Sequence, residues 1–309
     1  MKSKTVLTTD QGFHVVVEYR YEWLGQSSVK FGVGSQSFVA IGAPGHRNAT
    51  GVTVGAVHIY LSPYSQSSTL GQVVLPALER ICTLEGSAAL GEFGASVAVS
   101  PVYPSRKNGT VLAVGSPNEG EESSDLRGGV VRLFDLDGVG HSEVGFFDTH
   151  CRAGRTVQLA DIAPSVLRAT IVGPRLSRFG RTVQFVSLPG PADSLAAAAL
   201  LVAAPLANGR DDLPIVPSAS RELGAVFGWL ERDPKLSGGG LKLPSNGTRV
   251  RAVSSASWHA VGSERTGRLG SSLAVVRGAN RSSCWLVAGA PLASPGAEMG
   301  GAVMALQLA

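Results

Sequence analysis

A fourfold repeat constrains the fold of this chain more than any single residue does. Each copy has a Phe-Gly or Leu-Gly doublet, then an apolar run ending in proline, then a second apolar run that begins with glycine. Successive doublets lie 69, 86 and 90 residues apart, which is too long for one turn of a solenoid but suits a small antiparallel sheet with variable loops. The doublet glycines and run-ending prolines of the four copies are Gly25 and Pro44, Gly94 and Pro117, Gly180 and Pro205, and Gly270 and Pro291.

The sequence of each copy predicts four strands. Runs such as VLAV and LLVA are apolar at every position, which is typical of a strand buried on both faces, and the proline that follows cannot donate to a ladder and ends the strand. A further strand is expected before each new doublet, in ERICTLEG, VLRATIVG and VRAVSSASWHAVG. We therefore predict an all-β protein: a β-propeller of about four four-stranded blades forming one unit, with approximate boundaries at 12–78, 79–165, 166–248 and 249–309.

Composition supports a turn-rich globular β protein and argues against nucleic-acid binding. The chain has 39 glycines in 309 residues, and charged residues make up only 16%. Its net charge of +4 comes from scattered arginines, with no basic run or aromatic platform for a phosphate backbone.

Four glycosylation triplets point to an extracellular or luminal location. They begin at Asn48, Asn108, Asn246 and Asn280, all in predicted loops. The alternative is that serine and threonine are simply abundant in loops. Residues 1–20 lack the apolar core of a signal peptide, and no stretch is long enough to span a bilayer. The three cysteines allow at most one disulfide, and buried thiols are the expected state.

The doublet, corner and Gly-x-Val pattern resembles FG-GAP repeats, which build the propellers of integrin α subunits and of glycosylphosphatidylinositol-specific phospholipases D. The phospholipase family is the better match, through RLSRFGRTVQFV followed by LLVAAPL, and GRLGSSLAVVR followed by LVAGAPL and GGAVMALQL. Propellers of this family have seven blades, so the resemblance favours an incomplete ring, part of a longer protein, over a small ring. A closed ring would use HVVVEYRYEW as the last blade's fourth strand.

The sequence predicts no catalytic residue, cofactor or metal. Many FG-GAP repeats carry a calcium loop, but here the loops between doublet strand and corner offer only Asp193 as a carboxylate. Asp135, Asp137 and Glu143 follow a third strand and are interpreted as a solvated turn. The six histidines are dispersed, and His58 is interpreted as a satisfied or surface side chain. The family's catalytic domain, with its clustered His and Asp ligands, is absent from this sequence.

Two functions remain open at this stage. The first is the non-catalytic propeller portion of a protein that resembles these phospholipases, supporting stability, substrate orientation or partner binding, with a catalytic domain elsewhere in a longer chain. The second is a self-standing extracellular adhesion propeller resembling integrin α heads, whose loops bind a protein or glycan. The likeness of the C-terminal repeats to those of the phospholipase family favours the first, and the missing calcium loops weaken the second without excluding it.

Overall fold

The structure is a computed structural model of the chain. It describes residues 5–8, 14–17, 22–62, 78–100, 110–120, 127–136, 146–151, 154–162, 166–188, 197–208, 222–232, 248–264, 266–277, 283–293 and 300–308.

Among the described residues the regular structure is almost entirely β-strand, with only short helices, which confirms the all-β prediction. The helices are α1 (Phe146–Thr149), α2 (Ala252–Ser255) and a 3₁₀ turn (Leu159–Asp161), each about one turn long. The strands are β1 (Thr5–Thr8), β2 (His14–Val17), β3 (Ser28–Val33), β4 (Gln36–Ala43), β5 (Ala56–Ser62), β6 (Glu79–Glu85), β7 (Ser96–Val99), β8 (Val111–Ser116), β9 (Val130–Asp135), β10 (Arg155–Gln158), β11 (Leu167–Val172), β12 (Thr182–Leu188), β13 (Ala197–Ala204), β14 (Ala225–Arg232), β15 (Thr248–Arg251), β16 (Trp258–Val261), β17 (Ser272–Arg277), β18 (Cys284–Ala290) and β19 (Ala302–Gln307).

The four sequence repeats fold into four separate sheets. The first has the order β10-β6-β5-β4-β3, the second β15-β11-β9-β8-β7, the third β12-β13-β14-β16 and the fourth β17-β18-β19. Neighbouring strands are antiparallel, except that β10 and β15 add parallel edges to the first and second sheets. Strand β6, which the predicted boundary at residue 79 assigns to the second unit, pairs with β5 in the first sheet.

The N-terminal strand does not pair as a closed ring would require. Strand β2, within the HVVV segment, pairs antiparallel with β1 in a separate two-stranded sheet. Among the described strands the fourth sheet contains only β17, β18 and β19, so the expectation that HVVVEYRYEW completes the last sheet was wrong for this structure. A local hairpin needs no distant partner, since its two strands are joined by a short loop.

The doublet glycines have one shared structural role. Gly25, Gly94, Gly180 and Gly270 have φ between 87° and 90°, a conformation that costs glycine little and strains other residues. Each of their N–H groups donates to a carbonyl near the end of the second strand, as Gly25 does to Gly42 over 3.0 Å. The doublet therefore fixes where the first strand of a sheet begins relative to the proline corner.

Successive sheets pack face to face, and a hydrophobic core fills each interface. The first interface is built around Phe93 and Phe134, the second around Phe179 and Phe227, and the third around Leu269 and other aliphatic side chains. The predicted double burial of the second strands is confirmed for VLAV and LLVA, all of whose residues are buried. These strands are apolar on both faces because each face meets a neighbouring sheet.

Backbones of adjacent sheets approach closely at several glycines, of which Gly42 and Gly115 are equivalent positions in the first two sheets. A Cβ atom on Gly42 would lie 1.9 Å from the carbonyl oxygen of Gly94, and one on Gly115 would lie 2.1 Å from that of Gly180. The same carbonyls accept hydrogen bonds from the hydroxyls of Ser27 and Ser96, at 3.0 and 2.7 Å. The doublet of each new sheet is thus seated against the sheet before it.

The fourth sheet has one buried and one open face. Leu286 and Ala288 of β18 are buried against the third sheet, while Trp285, Val276 and Val303 lie on the opposite face and are exposed. The equivalents of Val303 in the other sheets, such as Val226, are fully buried because another sheet covers them.

A disulfide joins Cys82 in β6 to Cys151 just after α1, with Cα atoms 5.1 Å apart. The expectation of buried free thiols was therefore wrong for this pair, and it holds only for Cys284, which is free and buried. The bridge lies where β10 joins β6, since Arg155 is the Cα partner of Cys82. It thus holds the segment that supplies the parallel edge strand against the first sheet.

Candidate functional site

Four ionisable side chains meet at one corner of the first sheet: Glu22, His46, His58 and Glu85. We refer to them as the His–Glu cluster. Glu22 lies just before the first doublet, His46 in the turn after the proline corner, His58 in β5 and Glu85 at the end of β6. They come from positions up to 63 residues apart in the sequence, which is the separation of Glu22 and Glu85.

Strand register explains why these side chains share one face. His58 is paired with Thr83, and Glu85 is paired with Ala56, two residues before His58. Because side chains alternate along a strand, His58 and Glu85 point to the same side of the sheet. This is the outer face, away from the second sheet, where Ile41 and Tyr60 are also buried.

The carboxylate of Glu22 faces both imidazole rings. Its Oε1 lies 3.0 Å from Nδ1 of His46, and its Oε2 lies 4.0 Å from Nε2 of His58. The two rings meet edge to face with centroids 5.6 Å apart. Glu22, His46 and His58 each offer a ligand atom within 4.8 Å of the others, so these three are the residues that could hold a metal ion.

His58 is held in the neutral form. Only 2% of the residue is exposed, and burial lowers its pKa to about 4, with Glu22 opposing the shift and His46 and Arg80 adding to it. Its Nδ1 hydrogen-bonds with Oγ1 of Thr83 at 2.9 Å. The interpretation of His58 as a side chain with a satisfied hydrogen bond is therefore confirmed, and the alternative that it lies on the surface is wrong. Its other nitrogen, Nε2, faces Glu22.

Glu85 is buried and only half satisfied. Its Oε2 accepts a hydrogen bond from the side-chain amide of Gln158 in β10. Its Oε1 is buried without a hydrogen-bond partner and lies 3.6 Å from Nε2 of His46. An unpaired buried carboxylate oxygen costs free energy, so this atom is the least expected feature of the corner.

The other predicted residues are the repeat prolines, the glycosylation asparagines and four acidic residues. Pro44, Pro117, Pro205 and Pro291 each come directly after the second strand of their sheet. The carbonyl that accepts the hydrogen bond of the doublet glycine lies two residues before each proline. Of the glycosylation asparagines, Asn48 is in a described loop, whereas Asn108, Asn246 and Asn280 lie outside the described residues. Asp193, Asp137 and Glu143 are also outside them, and Asp135 forms an ion pair with Arg168 at 3.5 Å.

A scan against protein-family models gives no match, and a search of the curated proteins gives none either. The resemblance to FG-GAP propellers therefore depends on the repeat residues alone and stays a hypothesis. The described part of the chain contains no helix with the length and apolarity needed to span a membrane.

Proposed function

We propose that this chain is the non-catalytic propeller portion of an extracellular protein that resembles glycosylphosphatidylinositol-specific phospholipases D. In this role it stabilises the protein, orients its substrate or binds a partner, while bond cleavage takes place in another domain. The single observation that carries the proposal is the repeated contact between consecutive sheets.

That contact has the regularity expected of blades around an axis. The carbonyl of one doublet glycine lies against the corner glycine of the sheet before it, at Gly42 with Gly94 and again at Gly115 with Gly180. The first strands also follow one another, since β3 contacts β7, β7 contacts β12 and β12 contacts β17. When similar units are joined by similar contacts, each unit is related to the next by about the same rotation. A propeller arranges its sheets in this way around a central channel.

The open face of the fourth sheet favours an arc over a closed ring. In the first two sheets Gly42 and Gly115 meet the next sheet's doublet. For Gly289, the equivalent residue of the fourth sheet, the three atoms nearest to an added Cβ all belong to Ser272 of its own sheet. A further sheet with the same doublet would complete this contact. The proposed occupant of the open face is therefore another blade of a longer propeller.

The His–Glu cluster offers little support for catalysis. Glu22 and His58 are buried, so a lipid-linked glycan would not reach them. The test is to incubate the purified chain with membranes bearing an anchored reporter protein, and to record its small-angle scattering. No reporter release and an open arc are expected, whereas release by the chain alone, or a closed ring, would contradict the proposal.

Val303→Thr tests whether the outer face of the fourth sheet is open in solution. Val303 is 70% exposed, so the added hydroxyl stays hydrated and the free energy of unfolding should change by less than about 0.5 kcal/mol. Val226→Thr, at the equivalent buried position, should cost about 2 kcal/mol because its hydroxyl is desolvated. Urea unfolding of both variants measures the difference, and equal losses would show that the face is covered.

Asn48 should carry a glycan when the chain passes through a secretory pathway. Its Oδ1 accepts hydrogen bonds from Thr50 N at 3.1 Å, Thr50 Oγ1 at 2.8 Å and Val52 N at 2.9 Å. None of these three bonds involves the side-chain amide nitrogen, to which a glycan is attached. Asn48→Gln should remove one glycosidase-sensitive step in gel mobility. Asn118→Gln, outside any acceptor triplet, should remove none, and a wild-type chain without such a step would refute the prediction.

A further inference from the structure

The His–Glu cluster combines three potential metal ligands with two side chains placed to orient them. We propose that Glu22, His46 and His58 bind one Zn²⁺ ion, with Glu85 and Thr83 holding the two imidazole rings in place. This inference does not depend on the proposed propeller function, since it uses only contacts within the first sheet.

The nitrogens that face Glu22 define the ligand atoms. His46 presents Nδ1 to Oε1 of Glu22 at 3.0 Å, and His58 presents Nε2 to Oε2 at 4.0 Å. Two imidazoles and one carboxylate form a ligand set that zinc uses with a fourth position left for water. Donor atoms around a tetrahedral zinc ion are about 3.3 Å apart, so small rotations of these side chains suffice to close the present separations.

The far nitrogen of each ring meets a polar group, as in known metal sites. Nδ1 of His58 hydrogen-bonds with Thr83, and Nε2 of His46 lies 3.6 Å from the unpaired Oε1 of Glu85. Metal-bound histidines nearly always donate their other N–H to a carboxylate, a backbone carbonyl or a water molecule, which fixes the tautomer. The hydroxyl oxygen of Thr83 offers His58 an acceptor in the same place. With Nδ1 of His46 on the ion, its Nε2–H would donate to Glu85 and satisfy the orphaned oxygen.

Charge also favours a cation at this corner. Glu22 and Glu85 are both buried, and among the described residues only histidines lie within 4.0 Å of their oxygens as basic partners. Two buried carboxylates without lysine or arginine are costly unless a cation compensates them. One divalent ion supplies the matching charge.

Comparison of the four sheets shows that this set is not required by the fold. The same turn hydrogen bond and the same strand pairing identify the residues equivalent to His46 and His58 in the other sheets. They are Glu119 and Arg132 in the second sheet, Ala207 and Phe227 in the third, and Ala293 and Met304 in the fourth. The second sheet fills this corner with a Glu119–Arg132 ion pair and the others fill it with apolar side chains. The position of Glu85 is Val172 in the second sheet and Val261 in the third.

A protonated His46 bridging Glu22 and Glu85 is the competing arrangement, and metal titration separates the two. The purified chain is stripped with a chelator and titrated with Zn²⁺ by calorimetry, then with Co²⁺, whose visible absorption reports tetrahedral nitrogen and oxygen ligation. One ion per chain is expected, with a higher melting temperature in zinc than in chelator.

Three variants define the site. Glu22→Gln should weaken Zn²⁺ binding at least about 100-fold, and Glu85→Gln by about 10- to 100-fold, because the first removes a ligand and the second an orienting group. The double variant His46→Ala, His58→Met installs the fourth sheet's residues and removes both nitrogen ligands, so it should bind no zinc. It leaves Glu22 and Glu85 buried without a basic partner, so its fold is checked before its zinc binding is compared. His150→Gln, at a buried histidine outside the cluster, should bind as the wild type does.

Chelator-treated variants are compared by circular dichroism so that loss of binding is not confused with loss of fold. Failure of the wild-type chain to take up one Zn²⁺, or uptake that survives in the folded double variant, would overturn the proposal. An unaltered melting temperature with zinc would do the same, because an ion bound only to the folded chain must stabilise it.

Discussion

Replacing both Cys82 and Cys151 with alanine is expected to lower the free energy of unfolding by about 4 kcal/mol, because the disulfide closes a long loop in the unfolded chain. The two cysteines are 69 residues apart, and the bridge ties the α1 segment to strand β6. Its loss should also loosen the parallel β10 edge, since Arg155 of β10 pairs with Cys82.

Denaturant unfolding with and without a reducing agent measures this effect. The matched control is Cys284→Ala, which removes a buried thiol that is not bridged and should cost about 1 kcal/mol. Reduction should destabilise the wild type and the Cys284 variant but leave the double variant unchanged. A wild type that unfolds identically in both conditions would show that the bridge does not form.

Gly42→Ala is expected to cost about 3 kcal/mol, because the new methyl group meets the backbone of the next sheet, which cannot rotate away, as well as the Ser27 hydroxyl. Its Cβ would lie 1.9 Å from the carbonyl oxygen of Gly94, so the first and second sheets must separate locally. The same displacement would disturb the hydrogen bond from Ser27 to that carbonyl.

Gly32→Ala is the control in the same sheet. A Cβ there would have only the Gln36 carbonyl oxygen near it, at 3.7 Å, an ordinary contact. This variant should keep wild-type stability within about 1 kcal/mol, since alanine also restricts the unfolded chain. Thermal unfolding of both variants checks the prediction, and similar melting temperatures would mean that the sheets are not in close contact at Gly42.

The repeat made the strand content of this fold predictable. Doublet glycines, proline-ended runs and glycine-started runs recur because each sheet needs the same turn, the same stop and the same close approach. The parallel edge pairing was not predicted: β10 lies outside the repeat pattern, and the single strand expected in VRAVSSASWHAVG is divided into the end of β15, α2 and β16. Of these, β15 joins the second sheet and β16 joins the third. The pairing of β2 with β1 was missed because apolar alternation does not specify a partner.

The candidate site was not predicted because its residues match no local motif. His46 and His58 are dispersed in the sequence, and only strand pairing brings Glu22 and Glu85 to them. An alignment of the four repeats with each other could have indicated the site. The first copy has His46 and His58 at positions that are apolar in the third and fourth copies. The disulfide was missed for a similar reason, since three cysteines leave every pairing open.

The two ends of the sheet array are chemically different, and this gives the molecule a direction. The outer face of the first sheet is already buried around Ile41, Tyr60 and the His–Glu cluster, whereas that of the fourth exposes Val303 and Trp285. A further sheet could therefore pack against the fourth sheet without moving any buried side chain, whereas a sheet packed against the outer face of the first would have to displace side chains that are already buried. The two ends of the array thus differ in their capacity to accept a neighbour.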